Sequence, residues 1–252
     1  MREDLLLVMS SKGRRRHQPS ERDLAIWAQI NEDLLDWLYR GLTGHFQIAG
    51  HQLIDRWARP YVNRVVVEIG CGHGHHLRYG GNEYRRYIGL DIEYKFLCTL
   101  RERFPGTRVV NGDAYALPFR DQSVDCVLSV YCFEHLRQLP DCLAEIQRVL
   151  KPQGELLVGL PAEGGLLYEM GRKLTSKRYM ERKYGLDYDA IVRWEHWNTF
   201  SEVVELLKVQ LQVSEHRFIP FPFVPTVHGN VIGCLRAIPR FVICAHAEYS
   251  IA

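Results

Sequence analysis

The sequence VVVEIGCGHGHHL, residues 65–77, joins a run of β-branched residues directly to three glycines. The apolar run predicts a buried strand, and Gly70, Gly72 and Gly74 permit positive φ angles and close approach of a ligand to the backbone. His75 stands where a dinucleotide-binding loop has a further glycine or an alanine. The loop therefore favours a nucleoside-containing cofactor other than NAD, and an NAD(P)-dependent enzyme is the alternative.

The composition limits the class of protein. The chain has 252 residues, of which 46% are hydrophobic, so it is long enough for one α/β domain with an added segment. Its net charge of +2 is too small to indicate a nucleic-acid-binding protein. Seven cysteines without a C-x-x-C pair are typical of a reducing compartment. No apolar run approaches the ~18 residues of a membrane span, so we expect a cytoplasmic protein.

Short apolar runs alternate with helical patterns from Val62 onward, which is typical of βαβ units. This pattern predicts an α/β fold with a doubly wound, seven-stranded, mostly parallel sheet. Before the sheet, Ser20 and Asp23 form a potential capping box for an amphipathic helix, and a second helix covers 45–58. The predicted strands are 64–69, 87–90, 107–110, 124–130, 155–160, 212–219 and 241–247.

These patterns divide the chain into four segments. Residues 1–60 form an N-terminal helical extension, 61–161 the cofactor-binding half of the domain, and 199–252 the C-terminal part of the sheet. Residues 162–198 are too many for an ordinary βα connection. We expect them to form an inserted basic lid after the fifth strand.

Two aspartates follow the second and third predicted strands, where a nucleoside cofactor needs hydrogen-bond acceptors. Asp91 lies beyond the glycine loop at the spacing of a ribose-binding carboxylate. Asp113 can accept a hydrogen bond from an exocyclic amine, and Ala114 offers a backbone N–H beside it. Either aspartate alone is more typical of a helix cap or a loop. Acidic residues at successive strand ends together indicate a cofactor site.

These residues resemble the class I S-adenosylmethionine-dependent methyltransferases, in particular the subgroup with small-molecule acceptors. The resemblance extends from about residue 62 to residue 160 through VVVEIGCGHG, YIGLDI, NGDAYALPFRDQSVDCVLSVYCFEHL and EIQRVLKPQGELLVGLP. It implies a Rossmann-like fold and S-adenosylmethionine as the cofactor, with the methionine end at the glycine loop and the ribose on Asp91. The cofactor-binding residues that it implies are Glu68, Gly70, Cys71, Gly72, Gly74, Asp91, Ile92, Asp113, Ala114, Ser129, Val130 and Tyr131.

Methyl transfer requires alignment of the acceptor with the activated methyl group, and a base only if the acceptor must lose a proton early. YCFEHL follows the fourth strand and supplies Tyr131, Glu134 and His135 as catalytic candidates beside the expected methyl position. His135 is either a general base or a structural residue at a helix start. His196 closes the inserted segment, and it either reaches the pocket mouth or packs in a junction between the lid and the next helix.

The inserted segment is rich in cations, and its candidate substrate-binding residues are Arg172, Lys173, Lys177, Arg178 and Arg182. A solvated basic helix explains this pattern. A cationic lid would also bind a phosphate-bearing or sugar-derived acceptor, such as a nucleotide sugar or a glycan intermediate. The sequence therefore predicts methyl transfer to O or N of a small acceptor of this kind, with a non-catalytic S-adenosylmethionine-binding regulatory homologue as the alternative.

Neither a nucleic-acid substrate nor a metal site is favoured. SVYCFEHL stands where enzymes that methylate adenine amino groups place Asn or Asp, two prolines and an aromatic residue. His73, His75 and His76 lie near Cys71 in the sequence, but a glycine turn directs alternating side chains apart. The sequence therefore predicts no metal site at these residues.

Overall fold

The centre of the computed structural model, which describes residues 18–81 and 83–240, is a seven-stranded sheet with the order β3-β2-β1-β4-β5-β7-β6. Strands β1 to β5 are parallel, and β7 is antiparallel to both β5 and β6. This topology confirms the predicted α/β, doubly wound, mostly parallel fold. The strands are β1 Val65–Ile69, β2 Arg86–Asp91, β3 Arg108–Asn111, β4 Val124–Val130, β5 Leu150–Pro161, β6 Leu211–Ile219 and β7 Ile232–Pro239.

The seventh strand differs from the sequence prediction. The predicted strand 241–247 lies outside the described residues, and Ile232–Pro239 pairs between β5 and β6 instead. Gly233 and Arg236 weaken the β pattern of this segment, but both fit their neighbours. A Cβ at position 233 would overlap the Phe200 ring, and Arg236 donates two hydrogen bonds to Glu155 on β5 at 2.9 and 2.7 Å. Tertiary contacts therefore stabilise a strand whose local sequence signal is weak.

Helices cover both faces of the sheet and its carboxyl edge. The Ser20 side chain accepts a hydrogen bond from the Asp23 N–H at 3.1 Å, so Ser20 begins the first helix as predicted. The helices are α1 Glu21–Leu38, α2 Gly41–Ala58, α3 His75–Tyr79, α4 Tyr94–Arg103, α5 Leu139–Val149, α6 Leu166–Arg172, α7 Arg178–Tyr184, α8 Tyr188–Glu195 and α9 Phe200–Gln210, with a π-helical turn at Lys173–Lys177 and a 3₁₀ turn at Phe133–His135.

The core has one layer on each face of the sheet. Helices α5 and α9 bury their apolar sides against one face, and α2 buries Leu53, Ile54 and Ala58 against the other. Because full burial of an aliphatic side chain contributes about 1.5–3 kcal/mol, α2 belongs energetically to the core of the sheet. None of the helices within residues 18–81 and 83–240 combines the length and apolar character needed to cross a membrane.

A third apolar cluster joins α1 to the inserted segment. Leu34 of α1 packs with Met180, Tyr188 and Ile191 of the insertion. Two polar contacts reinforce this packing, since the Trp27 indole donates to Glu195 Oε1 at 2.9 Å and Asp23 accepts from the Asp187 N–H at 3.4 Å. Helices α1 and α6–α8 thus form one layer, which we call the roof.

Candidate active site

A cavity of about 690 Å³ lies between the carboxyl ends of the parallel strands and the roof. The order of the sheet reverses at β1, whose neighbours are β2 and β4, and ligands of doubly wound sheets bind outside the strand ends at such a point. The floor of the cavity comes from residues that follow β1, β2, β3 and β4, and its upper wall comes from the roof and α2.

The glycine loop forms the part of the floor that follows β1. Gly70 has φ +69° and packs against Cys132, whose Sγ a Cβ at position 70 would overlap. Gly72 has φ +48°, and a Cβ there would meet only open space. The Gly72 N–H donates to Asp91 Oδ2 at 2.8 Å. Gly70 therefore permits close packing inside the protein, whereas Gly72 leaves room for a ligand.

Two buried carboxyl groups flank this loop. Burial raises the pKa of Glu68 to about 8, although a hydrogen bond from the Tyr87 hydroxyl opposes the shift. Burial also raises the pKa of Asp91. Hydrogen bonds from the backbone N–H groups of Glu93 and Gly72 lower this pKa but do not outweigh burial. An adjacent cation would favour the ionised form of either carboxyl. The floor therefore suits a ligand that brings a positive charge and hydroxyl groups.

The cavity brings together most of the predicted cofactor-binding residues. Gly74 does not line it, because Gly74 begins α3 and packs against Phe104 and Leu100. Ser129 does not line it either, since its side chain is fully buried within β4. The predicted residues that line the cavity are Glu68, Gly70, Cys71, Gly72, Asp91, Ile92, Asp113, Ala114, Val130 and Tyr131.

The catalytic candidates Tyr131, Glu134, His135 and His196 all line the cavity. Tyr131 has φ +58°, and its hydroxyl donates to the Gln47 carbonyl on α2 at 3.0 Å. This bond engages the proton of Tyr131, so its hydroxyl holds α2 against the strand end.

Glu134 combines burial with an unused acceptor. Its side chain is only 3% exposed, and within the described residues its Oε2 has no hydrogen-bond partner. Burial raises the pKa of Glu134 to about 7, while the charge of His196 opposes the rise. Glu134 can therefore accept a proton near neutral pH.

The two histidines beside Glu134 have opposite electrostatic environments. Burial disfavours the cationic form of His196, but its hydrogen bond and ion pair with Glu163 outweigh burial and raise its pKa. The ring of His135 meets that of His196 edge-on, with centroids 4.7 Å apart. The His135 side chain is 42% exposed, and partial desolvation by the cavity walls together with the charge of His196 lowers its pKa. His196 thus favours the cationic form and His135 the neutral form.

Hydrogen bonds to backbone carbonyls, for which the sequence has no local signal, tie the lid to the segment that follows β4. The Trp197 N–H donates to the Glu134 carbonyl at 2.6 Å. The Asn198 side chain donates to the carbonyls of Phe133 and Leu136 at 2.8 and 2.7 Å. His196 therefore lines the cavity and also lies in a packed junction of the lid. The two positions considered for this residue, at the pocket and in a junction, both apply.

The sequence also did not predict a buried chain of hydrogen bonds that lies beside α2. The Tyr39 hydroxyl lies 2.7 Å from His51 Nε2, His51 Nδ1 lies 3.4 Å from His76 Nδ1, and His76 Nε2 lies 3.3 Å from the Tyr84 hydroxyl. Tyr84 in turn donates to Asp55 at 2.9 Å. If each hydroxyl and ring donates toward the carboxylate, the Tyr39 oxygen keeps its lone pairs for the cavity. No local sequence signal could have joined residues this far apart in the chain.

The histidines after the glycine loop are directed to different partners. His75 stacks on Tyr39 with centroids 4.4 Å apart, His73 meets Phe96 edge-on at 4.6 Å, and His76 enters the buried chain. Within residues 18–81 and 83–240, no group of three potential metal-binding side chains is placed to hold an ion.

The predicted substrate-binding cations are mostly directed away from the cavity. Lys173, Lys177, Arg178 and Arg182 do not line it. Arg172 does, but it donates to Glu169 at 2.9 Å and to Asp189 at 2.6 Å. The cavity side of the lid instead carries Tyr168, Thr175, Ser176, Tyr188, Ile191 and Val192. The helical repeat of the lid explains the difference, since one face packs inward and the other carries the exposed charges.

Comparison with known proteins supports the resemblance seen in the sequence. Residues 67–158 match the family described as a methyltransferase domain. A phthiotriol/phenolphthiotriol dimycocerosates methyltransferase of Mycobacterium ulcerans is 34% identical over 151 residues, which are 55% of this chain and 48% of that protein. A phthiotriol/phenolphthiotriol dimycocerosates methyltransferase of Mycobacterium tuberculosis is 43% identical over 103 residues, or 36% of this chain and 35% of that protein. The chain thus spans half or less of the length of these relatives.

Solved structures share the fold at low sequence identity. A SAM-dependent methyltransferase from Thermotoga maritima superposes with a TM-score of 0.59 at 20% identity, and the match covers 86% of this chain and 99% of that one. The cavity also fits the cofactor of this family, because Gly72 leaves open space, Asp91 offers carboxylate oxygens and Ile92 exposes an uncovered apolar side chain. These findings set aside the NAD(P) alternative. Residues 67–158 thus match a methyltransferase domain, and the chain has the fold of an S-adenosylmethionine-dependent methyltransferase.

Proposed function

We propose that the protein transfers a methyl group to an oxygen or nitrogen atom of a largely apolar lipid or small-molecule acceptor. The lining of the cavity beneath the roof is the observation that carries this proposal. Aromatic and aliphatic side chains dominate that lining, and Glu134 and His196 are among its polar members. The apolar lining comprises Trp27, Leu34, Leu38, Phe46, Tyr168, Tyr188, Ile191 and Val192. Such a surface favours an acceptor with substantial apolar area.

The proposed cofactor half of the cavity is the floor at the strand ends. Asp91 would accept hydrogen bonds from the ribose hydroxyls, and Glu68 would lie near the amino group of the methionine end. Asp113, Ala114 and Ile92 would receive the adenine. S-adenosylmethionine supplies a methyl group already activated on a sulfonium. The protein must therefore align the acceptor and exclude water.

Glu134 is the proposed base for an acceptor hydroxyl or amine. Glu134 lines the cavity, its buried Oε2 has no hydrogen-bond partner among the described residues, and its pKa of about 7 suits proton transfer near neutral pH. The proton would move from the acceptor to Oε2, while the His196 cation stabilises the carboxylate before transfer. His135 is a weaker candidate, because its lowered pKa makes its neutral ring a poor proton acceptor.

The geometry supports a phosphate-bearing or sugar-derived acceptor less well. Such an anion would need an available cation in the cavity. Arg172 is already paired with Glu169 and Asp189, and His196 is paired with Glu163. The names of the two mycobacterial relatives also point to phthiotriol and phenolphthiotriol dimycocerosates as acceptors of those proteins. An apolar acceptor is therefore our principal proposal, and a nucleotide sugar or glycan intermediate is its competitor.

An acceptor screen tests the proposal. The purified protein is incubated with S-adenosylmethionine and matched sets of long-chain alcohols, alkylphenols and alkylamines or nucleotide sugars, and S-adenosylhomocysteine is measured. We expect turnover to increase with the apolar area of the acceptor. Turnover confined to nucleotide sugars would favour the competitor. Tight binding of S-adenosylhomocysteine by calorimetry without turnover of any acceptor would favour a non-catalytic regulatory homologue.

A further inference from the structure

An exposed stripe of apolar and basic side chains runs along the outside of the lid. Its members follow one another at intervals of four residues through α6, the π-helical turn and α7, so they share one side of the helical segment. Leu166, Met170 and Leu174 are 73%, 56% and 65% exposed, respectively, and Arg178 and Arg182 continue the line. We call these five residues the outer stripe. Apolar side chains this exposed, aligned on one face, are typical of a binding surface.

The basic end of the outer stripe borders an open groove between α7 and the α1–α2 connection. Trp37 stacks on Tyr179 in its wall with centroids 4.7 Å apart, and Arg40 and Leu42 form the opposite side. Leu42, which is 70% exposed, lines both this groove and the cavity, as do Thr43 and Thr175. The groove therefore adjoins the rim of the cavity on the roof side.

The cations of this surface differ from the other cations of the lid in their ion pairing. Arg172 and Lys177 form ion pairs with Asp189. In the part of the chain that the structure describes, no carboxylate forms an ion pair with Arg40, Arg178 or Arg182. Three exposed guanidinium groups beside exposed leucines are therefore available to an anionic partner.

We propose that the outer stripe and the groove dock the protein on a membrane surface that contains anionic lipids. The leucines and Met170 would enter the boundary between headgroups and acyl chains, and the three arginines would contact lipid phosphates. This inference rests on the proposed function, because a docked rim would let an apolar acceptor pass from the membrane into the cavity. A membrane surface with anionic lipids binds protein surfaces that combine exposed apolar side chains with basic ones.

A fluid lipid surface fits the shape of this region better than an acidic protein does. The exposed apolar side chains belong to more than one element. Helix α6 contacts the turn at Val227–Gly229. The loop before that turn carries Phe223, which is 94% exposed. Protruding side chains on separate elements can all enter a lipid layer, whereas a protein partner would need a complementary surface for each. An acidic carrier protein is the alternative that the experiment must separate.

Vesicle binding tests the proposed membrane docking and needs neither cofactor nor acceptor. The docking proposal can therefore fail while the acceptor screen succeeds, and the acceptor screen can fail while the protein binds vesicles. The full chain is sedimented with vesicles of phosphatidylcholine alone or mixed with phosphatidylglycerol, at low and high ionic strength. We expect binding only to the anionic vesicles, and weaker binding at high salt. Arg178→Gln and Arg182→Gln should each lower the partition coefficient about fivefold, and Leu174→Ser should lower it at both ionic strengths.

The matched control is the double variant Arg101→Gln/Arg103→Gln, which removes two exposed cations from α4, away from the groove. We expect this variant to bind vesicles like the unmodified protein. Thermal unfolding of every variant verifies that it is folded, and Arg178→Lys should bind better than Arg178→Gln. The proposal is overturned if the protein does not bind anionic vesicles or if the control loses as much binding as the outer-stripe variants. Binding to an acidic carrier protein, lost in the same variants, without binding to vesicles would overturn it in favour of a protein partner.

Discussion

Glu134 is a buried carboxyl residue of the cavity lining, and its Oε2 has no hydrogen-bond partner among the described residues. We predict that Glu134→Gln lowers kcat by ~10²–10⁴-fold, because an amide cannot take the proton of the acceptor. The affinity for S-adenosylhomocysteine should not change, since the proposed cofactor floor does not include Glu134. Steady-state kinetics with the best acceptor from the screen and calorimetry measure the two quantities. The pH profile should also change: the rate of the unmodified protein should rise as pH increases through about 7, where Glu134 loses its proton.

His135→Gln is the matched control for this experiment. It alters the neighbouring residue of the same turn, but we expect a much smaller loss of kcat because the pKa of His135 is lowered. The reverse result, a large loss in His135→Gln and near-native turnover in Glu134→Gln, would assign the base to His135.

Asp91 is the residue on which the proposed ribose contact depends. We predict that Asp91→Asn weakens S-adenosylhomocysteine binding by ~2–3 kcal/mol, because charge-assisted hydrogen bonds to the hydroxyls would be lost. Calorimetry measures the change, and Glu102→Gln, on the exposed side of α4, is the control for loss of one acidic side chain. Unchanged affinity in a folded Asp91→Asn protein would contradict the ribose assignment.

At the scale of the loop between β1 and α3, two glycines with positive φ have different physical roles. We predict that Gly70→Ala lowers the free energy of unfolding strongly, because its Cβ would overlap Cys132 Sγ in a left-handed conformation. Gly72→Ala should cost only about 1–2 kcal/mol of stability, since only the strain of positive φ opposes it, but it should weaken cofactor binding. Urea unfolding and calorimetry separate the effects. Equal losses of stability in both variants would show that the open space at Gly72 does not matter.

The lid shows how ion pairs can remove charge from a binding site. Asp189 accepts from Arg172 at 2.6 Å and also forms an ion pair with Lys177. Both cations are close to a carboxylate within the lid, so they stabilise the α6–α8 arrangement. The cations that stay available, Arg178 and Arg182, lie on the outer stripe. One helical segment thus divides its charges between internal stabilisation and its outer surface.

At the scale of the whole molecule, two buried carboxyl groups link folding to pH. The folded-state pKa values of Glu68 and Glu134 are raised to about 8 and about 7 from an ordinary value of 4.5. Their stabilising contribution is therefore complete below pH 4.5 and is lost as pH rises through 7 and 8. We predict that the ligand-free protein loses stability between about pH 5 and pH 8, by up to about 1.4 kcal/mol per pH unit for each carboxyl. Urea unfolding at several pH values measures this loss.

The double variant Glu68→Gln/Glu134→Gln separates these two groups from all other titrating residues. It keeps the size of both side chains but removes the buried charge, so its stability should decline less over the same pH range. A decline as steep as that of the unmodified protein would show that neither carboxyl controls it.

The sequence by itself determined the elements whose signals are local. β1 and β4 were predicted to within one residue, because runs composed mostly of β-branched and other apolar residues specify buried parallel strands. The glycine loop and Asp91 were recognisable because turn geometry and a strand-end carboxylate depend on single residue types at fixed positions. These local signals sufficed for the fold class and for the resemblance to S-adenosylmethionine-dependent methyltransferases.

Only the tertiary structure decided which side chains share the cavity. β7 depends on pairing between two distant strands, and the chain from Tyr39 through His51 to His76 depends on α2 packing beside the glycine loop. The direction of the lid cations likewise depends on which helix face is buried under α1. In each case the deciding energy comes from contacts between residues far apart in the chain, and no local pattern records those contacts.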